Sequence, residues 1–267
     1  MFVIRQRSLF LSLCQHRLFF LLISFLLATV VFLKNAWVSE DAYINFRSIE
    51  QLFAGNGPVW NPHERVQVFT SPLWYALLAF FRLFSSNLFL LTIVISLILL
   101  LATLWLLRLL LKSDEALFIS VLLFVASTAF FDFTSSGLEN GLAYLLLVLY
   151  VTLFLSVAED HLPEQKGKKK LACLILIAGL IVLTRHDLLI LILPSLIYAV
   201  WSRRRFYSLW GWTRTGNVQS DPFLGVYPLF IDILRVPSAQ YGLCQIEHRD
   251  QSLGVASTGI EVSPILN

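Results

Sequence analysis

The residues of this chain best suited to chemistry are few: the adjacent carboxylates Glu40 and Asp41, a lone Glu139, the pair Arg185 and Asp187, and the arginines Arg47 and Arg65. Of 267 residues, 57% are hydrophobic and only 14% charged. Chains this apolar use ionisable groups sparingly, and those near membrane depth commonly serve function. An arginine presents a planar fork of donors that fits phosphate oxygens. Each residue also has a plainer reading. Glu40 and Asp41 follow Ser39, a capping residue type, and the dipole of a helix start favours carboxylates whatever else they do. Arg65 can equally pair with its neighbour Glu64.

The elements that must position these groups are membrane spans. Residues 88–107 hold no charge, and about twenty apolar residues are what a bilayer core requires. Similar stretches occupy 18–33, 116–131 and 140–158. Backbone amides inside lipid must be bonded within the segment, so the expected fold class is all-α, a polytopic helical membrane protein. Residues 18–33 follow Arg5, Arg7 and Arg17 but lack a small-residue cleavage site, so an uncleaved first span is expected. Cys14, Cys173 and Cys244 have neither metal nor disulfide spacing and read as small packers.

Basic residues in short loops mark the cytoplasmic side. The clusters are Arg5/Arg7/Arg17, Arg108/Lys112, Lys166/Lys168/Lys169/Lys170 and Arg203/Arg204/Arg205. Keeping all four on one side predicts six crossings. One span covers 116–133 and the next returns over 140–158. The runs 171–183 and 188–201 form a thin hairpin around Thr184-Arg185-His186-Asp187, the alternative being one tilted helix with a polar kink. The run 72–84 is too short for a crossing and is expected to lie at the interface. Loop 34–87 is then extracytoplasmic, and Glu40/Asp41, Glu139 and Arg185/Asp187 share its face. In that loop Phe46, Ile49 and Phe53 recur at helical spacing before Gly55, which predicts an amphipathic helix of about four turns.

Taken in order, Glu40-Asp41-Ala42-Tyr43-Ile44-x-Phe46-Arg47, Gly55-x-Gly57, Asn61-Pro62-x-Glu64-Arg65-Val66 and Thr70-Ser71-Pro72-Leu73-Trp74 carry a resemblance. They resemble the first outer loop of GT-C membrane glycosyltransferases that use polyprenyl-phosphate sugars, in the branch of the mycobacterial terminal arabinofuranosyltransferases. Thr134-Ser135-Ser136-Gly137-Leu138-Glu139 and Leu183-Thr184-Arg185-x-Asp187 resemble that branch's second and third motifs. His63 and Val68 stand where glycine is usual and His186 where proline is common; both histidines read as local substitutions, not catalysts.

The resemblance implies a sugar transferred from a polyprenyl-phosphate donor to a glycan, lipid or protein acceptor at the outer face of a bacterial inner membrane. Asp41 would be the general base, with Glu40 its alternative. Arg185, then Arg65, then Arg47 would hold the leaving phosphate, with Glu139 and Asp187 lining the site. The sequence offers no strong metal-ligand cluster and no cofactor motif, although some GT-C enzymes use a divalent cation. No nucleic-acid motif accompanies the basic clusters, and no nucleotide loop appears.

The match covers about residues 18–205. The expected organisation is a GT-C-like amino-terminal module over 1–205 and a divergent tail over 206–267, truncated or frameshifted. A non-catalytic family member is one alternative. A lipid or sugar transporter is another, disfavoured because the charges sit at span ends and no repeat is evident.

Overall fold

The computed structural model describes residues 2–63, 68–158 and 164–202. Arg65, the basic cluster 203–205 and the tail 206–267 lie outside them. Among the described residues every regular element is a helix. These are α1 (Phe2–Lys34), α2 (Glu40–Phe53), α3 (Pro72–Arg82), α4 (Leu88–Leu111), α5 (Asp114–Ala126), α6 (Thr128–Ser135), α7 (Asn140–Ala158), α8 (Glu164–Thr184) and α9 (Leu188–Ser202).

Among the described residues three helices are long and apolar enough to cross a membrane: Arg17–Lys34 within α1, then α4 and α7. A fourth crossing results if α5 and α6 together make one span. Their exposed surfaces are apolar, including Leu22, Leu26, Ile98 and Leu155, as expected of helices that are hydrophobic all round and meet lipid. Helix α4 is the central element. Its Leu88, Ile95 and Leu99 pack into a cluster with α2, α3, α7, α8 and α9. Its Leu100 and Leu104 pack into a second with α1, α5 and α6.

The sequence predicts one continuous helix over 116–133, and the structure corrects this. The chain breaks at Ser127 and bends by 84° between α5 and α6. Ser127 leaves the helical conformation at φ −97°, ψ 96°, and its N–H reaches back to the carbonyls of Leu123 and Phe124. Serine and threonine compete with the helix for backbone bonds, and two stand together here. Phe124 and Phe130 stack across the corner at 4.3 Å and hold it closed.

The tetrad at 184–187 separates two helices that fold back on each other. Arg185, just past α8, bonds Asn140 at the start of α7, whereas Lys170 near the other end of α8 donates to the Ser156 carbonyl. Helix α8 is therefore antiparallel to α7. The Tyr150 hydroxyl donates to the Ile192 carbonyl, and Phe154 meets Tyr198, so α9 runs parallel to α7 and antiparallel to α8. This is the hairpin rather than the single kinked helix. Cys173 is exposed on α8 and does not fill the core as expected.

Helix α3 occupies the expected interfacial run. Pro72 starts it, where a missing N–H costs nothing, and Trp74 and Leu78 are fully buried.

Candidate functional site

Helix α2 matches the predicted amphipathic helix in position and length. Ala42, Phe46 and Ile49 bury one face at helical spacing, but Phe53 is exposed, contrary to the expected pattern. Arg82 of α3 lies over its ring at 5.1 Å and binds the Glu50 carboxylate through Nε (2.8 Å) and Nη2 (3.1 Å).

Ser39 stands at the N-cap position, yet its hydroxyl makes no cap bond and is buried without a partner among the described residues. Its backbone N–H instead donates to the Ser136 carbonyl at 2.8 Å. That bond fixes the start of α2 against the 134–139 loop. Ser135 Oγ donates to the Asn35 carbonyl, and Trp37 Nε1 donates to the Asp132 carbonyl at 3.1 Å. Trp74 Nε1 donates to the Gly137 carbonyl at 3.1 Å from below. Gly137 adopts φ +81°, a conformation that favours glycine, and a Cβ there would stand 3.1 Å from both Ala42 and Val38. One glycine thus lets α2 and the loop approach closely.

Three residues on from Gly137, Asn140 is buried at the start of α7, and its Oδ1 accepts from Arg185 Nη1 at 2.8 Å. Arg185 also donates to both oxygens of Asp187, Nε at 3.2 Å and Nη2 at 2.9 Å. The hydrogen bond from Arg185 is the main reason the Asp187 carboxyl is held below its ordinary range, with partial burial opposing it and Arg185's charge assisting. Half-buried Glu139 lies close enough to contribute, after Asp187, to holding Arg185 cationic.

The first-loop acids, Glu139 and the Arg185–Asp187 turn are therefore delivered to one end of the bundle, linked through residues 134–140. Glu40 and Asp41 are exposed, and neither side chain has a hydrogen-bond or ion-pair partner among the described residues. Arg47 is held within its own loop: Nε donates to the Trp60 carbonyl (3.0 Å), Nη2 to Asn61 Oδ1 (2.8 Å), and the guanidinium lies 4.5 Å from the Trp60 ring. His63 follows that loop, and His186 is exposed in the α8–α9 turn. Among the described residues no group of three His, Cys, Asp or Glu side chains is placed to hold a metal ion.

Sequence reasoning missed Asn140 as the partner of Arg185, Trp74 as the support of Gly137, and Asp132. The last was read as part of a span, but α6 carries it to the same end as Trp37. Its one sequence signal was an acid inside an apolar run.

The pattern of the family described as "Dolichyl-phosphate-mannose-protein mannosyltransferase" matches residues 70–218, more than half of the chain. The chain belongs to this GT-C family of membrane glycosyltransferases. Within the curated proteins it is similar to the terminal beta-(1->2)-arabinofuranosyltransferase of Mycobacterium tuberculosis, at 28% identity over 188 residues. It is also similar to the protein of the same name from Corynebacterium glutamicum, at 38% identity over 138 residues. These matches cover 64% and 43% of this chain but only 30% and 19% of the relatives. The chain thus spans less than a third of the curated relatives it matches. No solved structure matches it.

Proposed function

We propose that this chain transfers a sugar from a polyprenyl-phosphate donor to a glycan, lipid or protein acceptor of a bacterial cell envelope, at the extracytoplasmic face of the inner membrane. Family membership and the names of the two relatives support the reaction class. The observation that carries the site assignment is the convergence of the α2 acids, Glu139 and the Arg185–Asp187 turn at one end of the bundle. Arg17, Arg108 and Lys112 lie at the opposite end, which the charge rule makes cytoplasmic. With α5–α6 counted as one crossing and α8 and α9 as two short ones, the chain passes the bilayer six times.

In the proposed step the acceptor hydroxyl oxygen bonds to the anomeric carbon as the bond from that carbon to the phosphate oxygen breaks. The hydroxyl proton passes to Asp41, with Glu40 as the alternative, and polyprenyl phosphate departs as an anion. A positioned carboxylate base contributes about 10²–10⁴-fold, and the Asp41 side chain, exposed and without a partner among the described residues, is open to that role. A guanidinium has five N–H donors. Arg185 commits three of them to Asp187 and Asn140, which orients the remainder toward a phosphate. Arg65 would be a second phosphate ligand. Arg47, engaged with Trp60 and Asn61, would act chiefly by holding its loop. Glu139 would bind a sugar hydroxyl or assist Asp41.

The test is transfer of labelled sugar from a polyprenyl-phosphate donor in membranes carrying the chain. Asp41→Asn is expected to lower transfer at least 10²-fold while insertion is unchanged. Undiminished transfer by that variant would reject Asp41 as the base, and no transfer by the unaltered chain would reject the reading itself.

A further inference from the structure

At the end of the bundle away from the candidate site, a cavity of about 210 Å³ opens between α1, the end of α4 and the start of α5. Arg17, Arg108, Leu109, Lys112 and Asp114 line it. Asp114 is buried and accepts from Arg108 Nε at 2.6 Å, so one of the three cations is already paired. Glu115, the other acid close to Arg17, is turned onto the Ser113 hydroxyl at 2.7 Å. Arg17 and Lys112 are exposed and make no salt bridge among the described residues. Lys112 is fixed there by its backbone. It ends α4 in the left-handed conformation at φ +58°, with its N–H on the Arg108 carbonyl at 2.9 Å.

The wall of this cationic cavity continues into apolar surface. Leu18, Leu109 and Trp105 are each about half exposed, and the Arg108 guanidinium lies 5.2 Å from the Trp105 ring. A free phosphate ion would need the cations alone. Cations beside a greasy, lipid-facing wall fit a molecule that carries both chemistries, and basic pockets between helices on the cytoplasmic side suit anionic headgroups.

We propose that this cavity binds an anionic phospholipid of the cytoplasmic leaflet. Arg17 and Lys112 take its phosphate oxygens, and Leu18, Trp105 and Leu109 lie along an acyl chain. The proposal is independent of the glycosyltransferase reading and would stand if that reading failed.

The experiment titrates the full chain, purified in detergent, with micelles containing spin-labelled phosphatidylglycerol or phosphatidylcholine. The unaltered chain is expected to immobilise phosphatidylglycerol in preference to phosphatidylcholine. Arg17→Gln/Lys112→Gln should weaken this about thirtyfold, or about 2 kcal/mol at ~1 kcal/mol per basic residue. Arg17→Gln alone, at an exposed position, should weaken it about fivefold on the same scale and serves if the double variant does not fold. Lys166→Gln/Lys169→Gln removes equal charge outside the cavity and should weaken binding clearly less than the cavity pair does. The proposal is overturned by unchanged binding in the cavity variants, or by equal loss in the Lys166/Lys169 control. Displacement of the lipid by inorganic phosphate at comparable concentration would also overturn it, marking an ion site to which the apolar wall adds nothing.

Discussion

At the basic end of the bundle Arg17 stands midway along α1, where its membrane-length apolar stretch begins, while Arg108 and Lys112 close α4 and Lys166 to Lys170 lie at the start of α8. The acid that pairs with one of them, Asp114, is six residues from its partner. At the other end the charges come from the first turn of α2 and from turns between helices, and bonds between residues far apart in the chain hold those segments together. Arg185 reaches Asn140 across 45 residues, Trp74 reaches Gly137 across 63, and Ser135 reaches Asn35 across 100. One end is specified locally, so losing a single exposed cation such as Lys166 is expected to leave its fold intact. The other is held by tertiary contacts, and removing one of them is expected to disturb its geometry.

Three changes test that contrast. The largest effect is expected at Arg185. Removing a donor aimed at developing charge costs about 10²–10³-fold, so Arg185→Gln should lower sugar transfer by that factor, whereas Lys166→Gln at the basic end should leave it unaltered. Equal losses would erase the distinction. Next is Gly137→Ala. An L-residue in the left-handed region costs about 1–2 kcal/mol, and here the methyl also meets Ala42 and Val38 at 3.1 Å. A thermal melt of the purified chain should show Tm lowered by several degrees, and an unchanged Tm would mean the α2–loop contact is not tight.

The smallest effect concerns Glu50 and Arg82, which are surface groups. Glu50 is held below its ordinary pKa chiefly by the hydrogen bond from Arg82, burial acting against it. A depressed carboxylate contributes stability that is present above its unfolded value and lost as pH falls through the folded one. Glu50→Gln should therefore lower Tm by about 2 °C or less at neutral pH. That difference should vanish in acid below the ordinary carboxylate range. A difference that persists there would point to packing rather than the ion pair.

What could be read from the sequence was what neighbouring residues decide together. Ser39 followed by two acids, a stripe at helical spacing and Gly55 placed α2 to within a residue or two. A polar tetrad between two apolar runs located the α8–α9 turn. The corner at Ser127 escaped because its sequence contains neither glycine nor proline, and the stacking of Phe124 on Phe130 depends on the folded chain. Asn140 escaped for a related reason. A polar residue at the start of a span is ordinary until Arg185 is seen to donate to it. Ser39 went the other way: its residue type promises a cap bond, yet its hydroxyl makes none, and the bond that places it runs from its backbone N–H to the distant Ser136 carbonyl.

The corner at Ser127 has a further effect on the surrounding lipid. Thirteen helical residues of α5 rise only about 20 Å, against about 30 Å of hydrocarbon, and α6 then turns away by 84°. If α5 and α6 together make one crossing, the bilayer beside them must thin or draw its headgroups inward to meet so low a wall.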